Sequence, residues 1–118
     1  MIADPSKSIY FETSDYKKRR ITCSVLDWEH ICRKPHEYME DEEQEIIDAI
    51  AHPDNNLRYL DCDYPETRRI YYLTHIAKKC YVKVVVEFTD KDCNSEGKIV
   101  TAFETNNMKK CEKPEVSK

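Results

Sequence analysis

Apolar and polar positions alternate most cleanly from Cys80 to Thr89. Val84, Val86 and Phe88 fall on one side of that run and Lys83, Val85 and Glu87 on the other, which predicts a central strand with one face turned to a core. Residues 68–76 before it, and residues 98–105 beyond a polar loop that carries the only glycine, Gly97, complete an antiparallel meander. Upstream, residues 19–26 alternate well enough for a first strand, with Ile21, Cys23 and Val25 on one side. Asp27 then reads as the N-cap of a short helix over residues 28–34 that Pro35 ends. Met39, Glu43, Ile46, Ile47 and Ile50 recur at helical spacing and predict a second helix over residues 38–51. The polar run His52-Pro53-Asp54-Asn55-Asn56 turns the chain into a strand over residues 57–64. The expected fold is therefore α+β, two N-terminal helices packed on a curved antiparallel sheet of about four to five strands. Residues 19–105 form the domain, residues 1–18 a flexible N-terminal segment and the lysine-rich residues 106–118 a flexible tail.

Charge refines this picture. The formal net charge is −4, yet residues 35–51 alone hold seven acids and no Lys or Arg. Without that run, 16 acids face 19 bases, and Lys17-Lys18-Arg19-Arg20, Arg33-Lys34, Arg68-Arg69 and Lys78-Lys79 form basic clusters. A phosphate-binding face is compatible with such an asymmetry, the acids being the solvated side of a helix. The six cysteines never occur as C-x-x-C and several fall inside expected strands or helices, which points to free thiols in a reducing cytoplasm rather than to zinc or a disulfide framework. No stretch approaches the roughly 18 apolar residues of a membrane span, and the N-terminus has no basic head before an apolar run. A soluble cytoplasmic protein is expected. One glycine leaves no material for a phosphate-binding loop, no serine stands in G-x-S-x-G, and neither a metal nor a cofactor is expected.

The motifs Trp28-x-His30-Ile31, Pro35-His36-Glu37, Ala49-Ile50-x-x-Pro53-Asp54, Arg69-Ile70-Tyr71-Tyr72, residues 81–86 and Ile99-Val100-Thr101-Ala102-Phe103 follow one another in that order. Their succession resembles the phage-type branch of the barnase, EndoU, colicin and RelE-like nuclease superfamily, over about residues 21–103. The resemblance implies a small metal-independent ribonuclease of the toxin or phage-nuclease kind and marks His30, His36, Glu37, Arg69, Tyr71 and Thr101, of which His30, Arg69, Tyr71 and Thr101 are the candidate catalytic residues and His36, with Lys83 added on its charge, the candidate substrate contacts. RNA is the implied partner, together with a cognate antitoxin protein. The sequence departs from the family in being acidic overall and in carrying Lys34-Pro35-His36-Glu37 where His-Pro-Glu is expected.

The chemistry of these residue types is coherent with that implication. Metal-free RNA cleavage needs a base for the 2′-hydroxyl, an acid for the leaving oxygen and cations on the phosphorane. Histidine suits the first two tasks, and His30, three residues after Asp27, is expected near the positive end of its helix. A guanidinium at position 69 can grip phosphate in two places, and Lys83 adds a point charge from the next strand. Tyr71 and Tyr72 point to opposite faces, one to the core and one free to stack on a base. His52 and His75 read as structural or surface groups. Two alternatives compete: a non-catalytic RNA- or protein-binding module on the same fold, and a structural domain of a mobile element.

Overall fold

The computed structural model describes residues 8–51, 58–75, 78–89 and 96–115. In chain order the elements are β1 (Ile9–Ser14), β2 (Arg20–Ser24), α1 (Val25–Ile31), a 3-10 turn (Glu37–Asp41), α2 (Glu43–Ala51), β3 (Arg58–Leu60), β4 (Arg68–His75), β5 (Cys80–Phe88), β6 (Gly97–Thr105) and β7 (Lys113–Pro114). The strands form one seven-stranded sheet in the order β1-β2-β6-β5-β4-β3-β7. Every neighbouring pair is antiparallel except β2 and β6, which run parallel.

This corrects the expected four to five antiparallel strands: the sheet is larger, and it is mixed. Both extra strands come from segments expected to be flexible. β1 pairs along β2, and its Tyr10 stacks on Trp28 with ring centroids 5.0 Å apart while Phe11 meets the same indole edge-on. β7 contributes only two residues beside β3. The meander over β4, β5 and β6 is as expected, and Cys80–Phe88 is its middle strand.

Helix boundaries shift for a local reason. Ser24, not Asp27, caps α1: its Oγ accepts from the Asp27 backbone N–H at 3.0 Å and donates to Asp27 Oδ2 at 2.9 Å. The expected second helix divides into the 3-10 turn and α2, with Glu42 between them.

Strand parity sorts the sheet into two faces. On one, Tyr71, Val82, Val84, Val86, Phe88, Ile99 and Ala102 pack under Ile31 of α1 and Ile46, Ala49 and Ile50 of α2. On the other, Ile70, Tyr72 and Val85 form a smaller core with Tyr59, Tyr81, Val100 and Met108. A bulge opposite Val85 and Val86 places Thr101 against Val85 and Ile99 against Val86, so Thr101 and Phe103 share the second face with Lys83.

Gly97 stands where β2 and β6 meet. A Cβ there would lie 2.6 Å from Val86 Cγ1 and 2.9 Å from the Phe88 ring, both buried. Gly97→Ala is expected to overpack this crossing and cost about 1–3 kcal/mol, read as a lower urea midpoint at unchanged slope.

Candidate functional site

On the second face, the sheet holds a lysine in a nearly closed setting. Lys83 is 5% exposed. Its Nζ donates to Glu112 Oε2 at 2.8 Å and lies 5.7 Å from the centroids of the Tyr72 and Phe103 rings. Tyr72 donates its hydroxyl to Glu112 Oε1 at 2.5 Å, and the Lys109 backbone N–H donates to the same oxygen at 3.2 Å. An ammonium, a phenol and an amide thus converge on one carboxylate, the donor set an anion takes in a closed site. Burial, followed by the Glu112 carboxylate, raises the Tyr72 phenol above its ordinary range and keeps it a donor. The carboxylate comes from the C-terminal segment, which the Cys62–Cys111 disulfide and the short β7 hold across this face. That bridge joins one pair where thiols are expected; Cys23, Cys32 and Cys80 are free, and Cys93 lies outside the described residues.

The rim of this face is built at the open edge of β6, because β2 pairs with β6 only at Gly97 and Lys98. The turn after Pro35 fills the vacated edge: Tyr38 OH accepts from the Glu104 backbone N–H at 3.2 Å, and His36 Nδ1 lies 2.9 Å from the same hydroxyl. The His36 ring rests 5.9 Å from that of Phe103, whose own ring lies beneath Lys83. His36, Lys83 and Thr101 therefore come to one face of the sheet.

Arg69, Tyr71 and His30 go elsewhere. Arg69 and Tyr71 lie on the helix-covered face in a buried ionic cluster. Arg69 Nε donates to Glu115 Oε2 at 2.6 Å, and its Nη1 donates to the carbonyls of Pro65 and Arg68. Tyr71 is fully buried; it donates to Asp15 Oδ2 at 2.8 Å and accepts from Arg19 Nη2 at 3.2 Å. Arg19 also bonds Asp15 at 2.6 Å and reaches Glu115, which accepts from the Tyr16 hydroxyl as well. Burial opposes ionisation of Glu115, but Tyr16, Arg19 and Arg69 hold its carboxyl below the usual range. His30 is exposed in the last turn of α1, away from the positive end on which its expected role as a base rested. Arg69 and Thr101 thus lie on opposite faces of the sheet, with His30 on neither, and the expected constellation of His30, Arg69, Tyr71 and Thr101 is not assembled.

A third group gathers at the end of the meander. Glu42, at the start of α2, is 3% exposed; its Oε1 lies 2.6 Å from Lys78 Nζ and 3.5 Å from His75 Nε2. Lys78 Nζ also reaches Glu104 Oε2 at 2.9 Å. Burial, with the neighbouring Glu104, raises the Glu42 carboxyl against the pull of Lys78. Glu104 is lowered, the bonds to Lys78 and Glu42 outweighing its own burial. Donor atoms of Glu42, His75 and Glu104 all lie within 4.8 Å of one another, so these are the described residues that could hold a metal. A cavity of about 270 Å³ adjoins them, lined by Tyr38, Lys78, Cys80, Glu104, Thr105 and Asn106. In sequence these residues are 33 and 29 apart, with no motif to join them; His75 reads as structural and Glu42 as one of a solvated run.

Compared with known protein families, curated proteins and solved structures, the chain matches none. Among the described residues no helix is long and apolar enough to cross a membrane.

Proposed function

We propose that the protein is a metal-independent RNA-cleaving domain of the toxin or phage-nuclease kind, and that the second face of the sheet is its RNA-facing surface. The observation that carries this reading is the convergence of the Lys83 ammonium and the Tyr72 hydroxyl on a single carboxylate. A phosphodiester of RNA is an anion that such a pair would take in its place. Thr101 beside Val85 adds a hydroxyl to the same face, and His36 at the rim brings an imidazole, the side chain type suited to general acid–base work. The partly exposed Phe103 offers a ring for an unstacked base. Glu112 fills the anion position in the disulfide-bonded form. In a cytoplasmic setting Cys62 and Cys111 are reduced, and the segment carrying Glu112 is held by its ion pairs, the tyrosine hydroxyl bonds to Glu112 and Glu115, the packing of Met108 and two strand residues. An inhibitor protein covering this face is the partner that such a toxin requires.

The test is incubation of the full chain with total RNA in EDTA, with and without dithiothreitol. Discrete cleavage is expected under reducing conditions, strengthened by Glu112→Gln and lowered about 10²–10⁴-fold by His36→Ala. His30→Ala is the comparator: loss there with His36→Ala active moves the working histidine to α1. RNA retained but intact at high protein concentration supports the non-catalytic binding module instead. That second reading is favoured by Arg69 and Tyr71, two of the four residues the resemblance marks as catalytic, being bonded into the cluster with Asp15 and Glu115.

A further inference from the structure

The group at the end of the meander has a feature that the ion pairs there leave unexplained. The Glu42 side chain is 4% exposed, Lys78 meets only its Oε1, and Oε2 is buried with no hydrogen-bond donor among the described residues. Its neighbour Glu104 is a second acceptor, and the two carboxyls bond each other only through a shared proton. Burying a carboxylate is costly unless its lone pairs are met. A cation between Glu42 and Glu104 answers both carboxylates at once.

We propose that Glu42, His75 and Glu104 bind a divalent transition metal of the zinc class, which displaces the Lys78 ammonium. His75 Nε2 and Glu42 Oε1 are 3.5 Å apart, and a tetrahedral centre with bonds of about 2.1 Å has edges of about 3.4 Å. With Glu104 within 4.8 Å of both, only small side-chain rotations bring three donors onto one ion. One imidazole and two carboxylates suit Zn²⁺ and Mn²⁺ better than Mg²⁺, which prefers an all-oxygen octahedron rich in water.

The ligands also sit on separate, mutually braced elements. His75 ends β4, Glu104 lies near the end of β6, and Glu42 is fixed by its backbone carbonyl, which accepts from the Ile46 N–H at 3.0 Å at the start of α2. Lys78 bridges Glu42 and Glu104 as a monovalent stand-in, with 44% of its side chain exposed, so it can swing to solvent when a metal arrives. Glu104 lines the adjoining 270 Å³ cavity together with Cys80, the cross-strand partner of His75 and the softest donor on hand for a fourth ligand. This site lies on the helix-covered face and owes nothing to the RNA reading.

Calorimetric titration of the full chain with Zn²⁺ alone is the test. One ion per chain is expected, with affinity weakened at least 10-fold in Glu42→Gln and in His75→Ala and strengthened in Lys78→Met, where the competing ammonium is gone. Substitution by Co²⁺ reads the donors independently: visible d–d bands of tetrahedral intensity are expected, and a thiolate charge-transfer band lost in Cys80→Ser identifies the fourth ligand. No binding, or binding equal in wild type, Glu42→Gln and His75→Ala, overturns the site. Binding lost in both variants but not tightened in Lys78→Met overturns the displacement of lysine.

Discussion

Lys83→Met should lower the free energy of unfolding by about 3–5 kcal/mol, the cost of leaving a buried partner charge uncompensated. The side chains of Lys83 and Glu112 are 6% and 1% exposed, so water cannot take over for the missing ammonium. Adding Glu112→Gln should return most of the loss. The glutamine carries no charge, and its amide oxygen still accepts from Tyr72 and from the Lys109 N–H, so neither donor is orphaned. Urea unfolding of the two single variants and the double closes the cycle, and a coupling energy well above 1 kcal/mol is expected. A Lys83→Met cost below about 1 kcal/mol would mean the pair is effectively solvated. The proposed anion position on the second face would then lose its physical basis, because a hydrated lysine has no special hold on phosphate.

The strength of that pair bears on what could be read from the sequence. β4, β5 and β6 were legible because their signal is local: Val84, Val86 and Phe88 alternate with residues of the opposite face within one strand. β7 and the course of residues 106–115 were not, because what fixes them is non-local. Glu112 has its partner on β5 and Glu115 has its partners at Arg19 and Arg69, while Cys111 joins Cys62 across 49 positions. A lysine-rich segment with two buried acids looks like a solvated tail until the cations that receive those acids are located. β1 was missed for a related reason. Its Tyr10 and Phe11 are adjacent, so they break the period-two pattern, and both find Trp28 only once α1 has folded over them.

The candidate residues divide along the same line. Sequence chemistry picked out Lys83, Thr101 and His36, which share a face, but it gave Arg69 and Tyr71 the same standing. Strand parity puts residues 69 and 71 on the face opposite Tyr72, and Asp15, Arg19 and Glu115 then claim them. Nothing local distinguishes an arginine that meets phosphate from one that meets a glutamate 46 residues away. The Glu42, His75 and Glu104 group was illegible for the plainest reason, since its members belong to three elements that only the sheet brings together.

The second large effect is expected at the disulfide. Reduction, or Cys111→Ser, should lower stability by about 4 kcal/mol if chain entropy governs, for a bridge closing a separation of 49 residues. The loss should be uneven. β7 is two residues long and pairs only with β3, which itself spans three, so this edge depends on the bridge more than any other part of the sheet. Amide exchange in the reduced protein should therefore rise first in residues 58–60 and 109–115, with β5 still protected by β4 and β6 on its two sides. Glu112 leaves Lys83 when that segment opens, and the ammonium, the Tyr72 hydroxyl and Thr101 then face solvent together. Stability and RNA affinity should consequently move in opposite directions on reduction, the first falling as the second rises. Equal unfolding midpoints with and without dithiothreitol would show that the ion pairs alone hold the segment down, and reduction could then not be what uncovers the face. Exchange rising first in β5 would separate the bridge from Lys83 altogether, because it would place the weak point in the centre of the sheet instead of its edge.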